Sequence, residues 1–181
     1  MSTERVVVVG GGLAAGTFVT TLRDNGHEGP ITLFTDEPHP PYERPPLSKD
    51  LLLGKGSEEK ALVQEEKWYA EHDVDLRLGT PVTSLDLSAR EVVAGSERTA
   101  YDHLLIATGS RARHLQLADE SGGPVVYLRT MEESRRIRAA LTAGSRIGII
   151  GGGWIGLEVA SAARAADAEV VLVESLAQPL L

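Results

Sequence analysis

Short apolar runs that end in glycine or in an acid alternate along the chain with stretches of helical spacing. Arg5 to Val9 is almost purely valine and runs into Gly10, which predicts a strand buried on both faces of a parallel sheet. Leu13 to Asn25 carries apolar residues at helical spacing, and Gly26 stands where a helix would stop. Ile31 to Phe34 predicts a second strand. The first part of the chain is therefore predicted to be a β-α-β unit with its first strand inside the sheet.

The same order of elements returns near the end of the sequence. Thr130 to Glu133 has capping-box spacing and predicts a helix that runs to about Leu141. Arg146 to Ile150 predicts another buried strand, followed by glycines, a helix and a strand that ends at Glu174. The two runs VVVVGGG and IGIIGGG align as an internal repeat. A repeat of this kind predicts two similar domains.

The middle of the chain is less regular. Four prolines between His39 and Lys49 predict a stiff, extended loop that is a candidate binding element. Strands, helical segments and a small antiparallel meander are predicted for the remaining pieces. The helical segments are 49–53 and 58–71, the meander lies within 80–101, and the further strands are 75–78, 103–107 and 125–128.

These elements predict an α/β fold with two Rossmann-like, doubly wound dinucleotide-binding domains and a small antiparallel meander. Residues 1–112 are predicted to form the first domain, 113–124 a crossover linker, and 125–181 the start of a second domain that is incomplete. The irregular, polar stretch before Pro124 favours placing the crossover there.

Composition and charge narrow the function classes. Of the 181 residues 42% are hydrophobic, yet no run is long enough to span a bilayer, and the first residues lack a secretory pattern, so we predict a cytoplasmic protein. A net charge of -8 without a basic run argues against nucleic-acid and membrane partners. The arginines at 111 and 113 and at 135, 136 and 138 are read as solvated residues or as a surface for an acidic partner.

Metal and thiol chemistry are not supported by the sequence. With no cysteine, these residues offer no disulfide, no thiolate metal ligand and no thiol nucleophile. The five histidines show no metal-ligand spacing, so no metal site is predicted.

The glycine turns carry the chemistry that the sequence does indicate. A pyrophosphate needs one glycine for a tight turn, a second for close approach of backbone N–H groups, and a third small residue for helix–strand packing. Both turns supply this pattern, at Gly10, Gly12 and Ala15 with Gly16 adjacent, and at Gly151, Gly153 and Gly156. Two dinucleotide sites are therefore predicted.

Acids at the ends of the second strands fit the same motif, because a carboxylate there hydrogen-bonds ribose hydroxyls. Asp36 is the candidate in the first half, with Glu37 as the alternative, and Glu174 is the candidate in the second. A carboxylate at Glu174 would repel a 2′-phosphate, so the second site is expected to prefer NADH. Two nucleotide sites suggest hydride transfer from one to the other, with a flavin as the usual second carrier.

The sequence resembles the FAD-dependent, NADH-using ferredoxin reductases of the putidaredoxin, rhodocoxin and rubredoxin reductase type. The resemblance extends over the whole chain, although members of that family are more than twice as long. It rests on the segments VVVVGGGLAAG, PYERPPLSKDLL, LLIATGS, YLRTMEES, GGGWIGLEVA and VVLVES. The PPLSK loop is its most diagnostic part.

The resemblance implies roles for individual residues. Lys49 and Glu158 are implied as a pair close to flavin N5, where the lysine can stabilise charge on the reduced flavin. Trp154 stands at a position that is aromatic in much of the superfamily, either covering the nicotinamide or packing at the helix start. FAD contacts are implied at Ala14, Asp36, Arg44, Lys49, Val82, Thr108, Gly109 and Arg129, and NADH contacts at Ile155 and Glu174 as well as at the second turn.

The resemblance also implies an activity. Because thiols are absent, the reduced flavin is expected to pass its electrons outward singly, to an iron–sulfur protein of the ferredoxin or rubredoxin type. Two alternatives stay open. The chain can be a truncated nucleotide-binding fragment without turnover, or an NADH-driven flavoenzyme that reduces a small molecule such as oxygen, a quinone or nitrite.

Overall fold

The computed structural model describes residues 3–180, which divide into two compact units. The first unit contains the chain up to Glu43 and the range Ala61–Ser110. The second unit contains Arg44–Lys60 and the chain from Arg111 onward. The proline segment that begins at Arg44 is therefore packed with residues that come much later in the sequence. The assignment of 1–112 to an FAD domain and 125–181 to an NADH domain stays a prediction.

The first unit is built on a four-stranded parallel sheet. Its strands are β1 (Val6–Val9), β2 (Ile31–Phe34), β3 (Val74–Arg77) and β7 (His103–Ile106), in the order β3-β2-β1-β7. Helices α1 (Leu13–Asp24) and α2 (Glu66–Glu71) complete it. One face of β1 packs with α1 through Val6, Val8, Ala15 and Val19. The predicted strand–helix–strand unit and the interior place of β1 are confirmed.

The other face of β1 meets a three-stranded antiparallel sheet. This sheet contains β4 (Ser84–Asp86), β5 (Glu91–Ala94) and β6 (Glu97–Ala100), with β5 in the middle. Val92 and Ala94 pack with Val7, Val9 and Phe34 in a second apolar cluster. The predicted antiparallel meander is confirmed.

The second unit contains the second β-α-β element. Strands β8 (Arg146–Ile150) and β9 (Glu169–Val173) are parallel, with α5 (Trp154–Ala165) between them, and α3 (Gln116–Asp119) and α4 (Met131–Ala140) come before. Helix α4 begins with the predicted capping box, in which Thr130 and Glu133 exchange hydrogen bonds. One face of the β8–β9 pair joins the apolar cluster of Ile149 and Val159. Its other face is exposed, although the sequence predicted burial on both, because α5 covers only one side.

Three local predictions are wrong for identifiable reasons. Pro45–Ser48 is a 3-10 turn and not an extended stretch, since prolines at the first two positions of a helical turn need no N–H donor. The helix predicted over 58–71 is interrupted because residues 61–63 hydrogen-bond to the backbone of 41–43. Residues 125–128 form no strand within the described chain, where no neighbouring strand takes up their backbone groups.

The chain is thus an α/β protein with two Rossmann-like elements and an antiparallel meander, and the described part of the second element holds two strands. Over residues 3–180, none of the helices combines the length and the apolar character needed to cross a bilayer.

Candidate functional site

The first glycine turn joins β1 to α1. Gly10 has φ of +128°, and a Cβ built on it would lie 2.2 Å from the Ala107 carbonyl oxygen, so only glycine fits against the end of β7. A Cβ on Gly12 would meet no atom within 4 Å. Gly12 is the N-cap residue of α1 and provides no side chain to accept from the first N–H groups. The turn therefore leaves open space in front of a helix N-terminus.

The second glycine turn, between β8 and α5, has the same construction. Gly151 has φ of +103°, and a Cβ on Gly156 would lie 2.1 Å from the Gly151 carbonyl oxygen, which requires glycine for contact between turn and helix. A Cβ on Gly153, the N-cap of α5, would again meet nothing within 4 Å. Helix N-termini of this kind favour anions, so both turns fit a pyrophosphate.

Residues that follow the N-cap glycines occupy matching places in the two helices. Ala14 and Ile155 are the second residues of α1 and α5, and both are exposed. Ala15 is fully buried, as its predicted packing role requires, while a Cβ on Gly16 would lie 2.8 Å from Pro41 Cβ. Packing therefore accounts for a small residue at Gly16. Trp154 was expected either to cover the nicotinamide or to pack at the helix start. Its side chain is 74% exposed, which does not support packing at the helix start.

The two candidate acids are not at equivalent positions. Val9 pairs with Phe34 and Ile150 pairs with Val173, so the register places Thr35, and not Asp36, where Glu174 stands. Thr35 is buried and its Oγ1 accepts from the Glu37 N–H, whereas Asp36 is exposed. The Glu37 carboxylate accepts a hydrogen bond from the buried Tyr42 hydroxyl. Asp36 is therefore the more accessible acid for a ligand in the first unit.

Glu174 contacts the second turn directly. Its Oε2 accepts from the Gly152 N–H at 2.6 Å and its Oε1 from the Leu176 N–H at 2.9 Å. The hydrogen bonds from Leu176 and then Gly152 lower the pKa of this carboxyl below its ordinary value, because both favour the ionised form. The second turn thus has a fixed negative charge at its rim.

Three further predicted contact residues lie in the first unit. Thr108 and Gly109 follow β7 and are exposed, and Gly109 has φ of +67°. The Thr108 nitrogen lies 3.0 Å from a Cβ built on Gly10, so this strand end borders the first glycine turn. Val82 is partly buried against the cluster of Val7 and Phe34.

The predicted flavin-side cations lie in the second unit. Arg44 donates from Nη1 to the Arg129 carbonyl oxygen at 2.8 Å, which brings two predicted residues together through a backbone atom. Lys49 Nζ lies 3.7 Å from Glu158 Oε1, so the structure brings together the two residues that the family resemblance implied as a pair. The two side chains are 56% and 27% exposed, and an ion pair of this kind contributes about 0–1 kcal/mol.

Sequence reasoning missed Ser48. Its hydroxyl donates to Glu158 Oε2, so Glu158 is contacted on one oxygen by Ser48 and on the other by Lys49. The buried Ser134 hydroxyl, which was also missed, donates to the Leu47 carbonyl oxygen at 2.7 Å. No local pattern could have identified these contacts, because their partners are 110 and 87 residues away.

Residues 3–180 contain no group of three or more His, Cys, Asp or Glu side chains arranged to hold a metal ion.

Comparison with known proteins gives one consistent result. The family model for pyridine nucleotide-disulphide oxidoreductases matches residues 4–180. The ferredoxin–NAD(+) reductase component of the p-cumate 2,3-dioxygenase system of Pseudomonas putida is 44% identical, over 95% of this chain and 43% of its own length. Rubredoxin–NAD(+) reductase of Pseudomonas putida is 36% identical, over 94% of this chain and 44% of its own length.

A solved structure shows the same likeness in three dimensions. The covalent complex of putidaredoxin reductase with putidaredoxin matches with a TM-score of 0.93 and 37% identity, over 99% of this chain and 44% of the matched chain. The chain therefore spans less than half the length of these relatives.

Proposed function

This chain belongs to the pyridine nucleotide-disulphide oxidoreductase family, and on that premise we propose that it supplies both nucleotide turns of an NADH:ferredoxin reductase. FAD binds at the turn from Gly10 to Gly16, and NADH binds at the turn from Gly151 to Gly156. The physiological acceptor is a ferredoxin-type or rubredoxin-type iron–sulfur protein. We place this chemistry in the cytoplasm, as the sequence predicts.

The Lys49–Glu158 pair is the observation that carries the proposal. A nucleotide-binding module needs only the glycine turns and their acids. Lys49 pairs with Glu158 on α5, the helix whose N-cap is Gly153, and so adds a positive charge to the unit that carries the second nucleotide turn. Such a charge stabilises negative charge that develops on a reduced ring. The pair therefore favours electron transfer over binding alone.

The remaining site residues form two sets, one for each nucleotide. When bound, FAD supplies a carrier that takes two electrons as a hydride and returns them one at a time. The Gly12 and Gly153 N-caps hold the two pyrophosphates, and Asp36 and Glu174 bind the two riboses. Each NADH then reduces two one-electron acceptors and one proton is released. No dithiol in these 181 residues takes part, because they contain no cysteine.

The test uses the full-length protein that contains this chain. We expect FAD absorbance after purification and NADH-dependent reduction of a [2Fe–2S] ferredoxin or a rubredoxin. Under anaerobic conditions these acceptors are compared with a quinone and nitrite, and oxygen is tested separately. Protein that holds no FAD and reduces no acceptor overturns the proposal, and a faster turnover with a small molecule than with both iron–sulfur proteins overturns the acceptor class.

A substitution tests the part played by the pair. Lys49→Met is expected to slow flavin reduction by NADH at least tenfold, since one preorganised charge contributes about that much or more to a rate. Lys55→Met, at an exposed lysine close by in the sequence, is the matched control and is expected to leave the rate unchanged. Equal rates for the two variants would show that the pair plays no part in the reaction.

A further inference from the structure

We propose that Ser48 is a positioning residue: its hydroxyl holds the Glu158 carboxylate so that Lys49 is presented at a fixed place for the flavin. This inference rests on the proposed function. It concerns a residue for which the sequence predicted no role.

The two carboxylate oxygens of Glu158 contact two residues that are adjacent in the sequence, Ser48 and Lys49. Ser48 donates to Oε2, while Lys49 Nζ lies 3.7 Å from Oε1. Ser48 is 7% exposed, and Lys49 is mainly in solvent. A buried hydroxyl has few alternative positions, whereas an exposed lysine has many rotamers of similar energy. The orientation of the carboxylate therefore depends on Ser48 more than on Lys49.

The turn that carries Ser48 is held at both ends. Pro45 and Pro46 begin it with fixed φ angles, and the Lys49 N–H donates to the Pro46 carbonyl oxygen at 3.1 Å. Ser134 on α4 donates to the Leu47 carbonyl oxygen, directly before Ser48. Arg44 donates to the Arg129 carbonyl oxygen just before the turn. Ser48 is thus carried by a turn that hydrogen bonds anchor on both sides, at Arg44 and Leu47 before it and at the Lys49 N–H after it.

The consequence for Lys49 follows from its distance to Glu158. An ammonium group 3.7 Å from a carboxylate is attracted without being locked in a short hydrogen bond. With Glu158 fixed by Ser48, the carboxylate that attracts the ammonium group keeps a defined position, and the ammonium group still has donors for a second acceptor. Without that bond, Glu158 can turn and take the ammonium group with it.

The test is a double-mutant cycle in the full-length, FAD-loaded protein. Ser48→Ala is expected to lower the rate constant of flavin reduction by NADH about tenfold, as displacement of a positioned group does, with little change in NADH affinity. In the Glu158→Gln background the same change is expected to cost less than about twofold, because an uncharged amide no longer attracts the Lys49 ammonium group, wherever Ser48 holds it.

The flavin midpoint potential provides a second readout. Ser48→Ala is expected to shift it to more negative values, in the same direction as Lys49→Met and by a smaller amount, because a displaced ammonium group stabilises the reduced flavin less. Ser88→Ala is the matched control: the Ser88 hydroxyl also donates to a carboxylate, that of Asp86, in the exposed turn between β4 and β5. It is expected to change neither readout.

A folding effect is separated by a second pair of variants. Threonine and valine are both β-branched and have similar shapes, but only threonine carries a hydroxyl. Any loss of stability that a β-branched side chain causes at this turn is therefore the same in Ser48→Thr and Ser48→Val. We expect the Thr variant to keep the potential closer to that of the unaltered protein. Additive effects of Ser48→Ala and Glu158→Gln, or identical Thr and Val variants, would overturn the inference.

Failure of the proposed function is recognised separately. Protein without FAD or NADH-dependent reduction rejects that function. The link between Ser48 and Glu158 is then measured by urea unfolding of Ser48→Ala, Glu158→Ala and the double variant, since alanine, unlike glutamine, cannot accept the Ser48 hydrogen bond. Coupling is expected, and additivity rejects the link.

Discussion

Glu174 occupies the rim of the second glycine turn, with its carboxylate on the Gly152 N–H. We expect Glu174→Gln to weaken NADH binding and to reduce the preference for NADH over NADPH about tenfold, or 1.4 kcal/mol, since the charge that repels a 2′-phosphate is removed. The measurement is titration of the full-length protein with each nucleotide.

Glu169→Gln is the matched control for this change. Glu169 lies at the opposite end of β9 and pairs with Arg146 at 3.4 Å. Its substitution is expected to leave the preference unchanged. A Glu174→Gln protein with an unaltered ratio of NADH to NADPH affinity would contradict the assigned role.

Asp102 gives a prediction for the pH dependence of stability. The Arg5 side chain donates to both of its oxygens, at 3.0 and 2.9 Å, and the Arg5 N–H donates at 2.7 Å. These hydrogen bonds hold the pKa of Asp102 well below its ordinary 3.8. Because the folded-state pKa is the lower one, the stabilisation is complete above pH 3.8 and is lost as the pH falls through the folded-state value.

Asp102→Asn is therefore expected to lower the urea midpoint of the chain at neutral pH. The difference from the unaltered protein should narrow progressively as the pH falls below 3.8. Glu28→Gln, at an exposed acid in the connection between α1 and β2, serves as the control and should show no such dependence. A constant difference at every pH would mean that the charge of Asp102 is not the cause.

At the residue scale, the sequence predicted the functional residues that belong to a motif. It missed those whose contacts form only when distant parts of the chain come together. Gly10 and Gly151 were identified because a tight turn before a helix requires glycine. The Lys49–Glu158 pair was predicted from resemblance, and no spacing rule connects the two positions. Ser48 was missed for the physical reason that its partner lies on a helix 110 residues later.

At the scale of elements, the two glycines of one turn perform separable tasks. A side chain on Gly153 points into open space, whereas a Cβ on Gly156 meets the Gly151 carbonyl oxygen. Gly153→Ser is expected to keep the stability of the chain, because serine is a good N-cap, and to weaken NADH binding by filling the pyrophosphate space. Gly156→Ala is expected to destabilise the chain by about 2 kcal/mol through overpacking.

Urea unfolding and NADH titration of both variants separate the two tasks. Gly144→Ser isolates the effect of placing a side chain at a positive φ angle, because Gly144 has φ of +78° and no atom lies within 4 Å of its Cβ position. It is expected to lose stability and retain NADH affinity. If Gly153→Ser lost stability as Gly156→Ala does, the division of labour would be wrong.

The same local logic explains which elements could be predicted. The strands that flank glycine turns, the helices behind them and the capping box at Thr130 were identified, because short-range sequence determines them. The break at 61–63 and the missing strand at 125–128 were not. In the first case a distant segment, 41–43, takes the hydrogen bonds, and in the second no partner strand is present in the described chain.

At the scale of the whole molecule, the exposed face of the β8–β9 pair sets the solution behaviour of the 181-residue chain. Ile150, Val171 and Val173 are all more than half exposed on that face. Clustered apolar side chains of this kind favour association. We expect the isolated chain to bind a hydrophobic dye and to self-associate as its concentration rises.

Val171→Thr combined with Val173→Thr is expected to reduce dye binding and association with little loss of stability, because threonine keeps the strand preference. Leu87→Thr, an exposed leucine outside this face, is the control. Dye fluorescence and analytical ultracentrifugation provide the readout. Association that is unchanged by the double substitution would place the responsible surface elsewhere.

The interleaving of the two units also sets an order of events during synthesis. Ser48 leaves the ribosome 110 residues before Glu158, which at about 5–20 residues per second is a delay of roughly 5–20 s. During that interval the proline segment has no α5 to bind, and the remaining strands of the first unit, β3 to β7, are completed before α5 is made. Residues 44–60 therefore stay accessible to chaperones and proteases until translation has passed Ala165, and the Ser48–Glu158 bond closes after the first unit can fold.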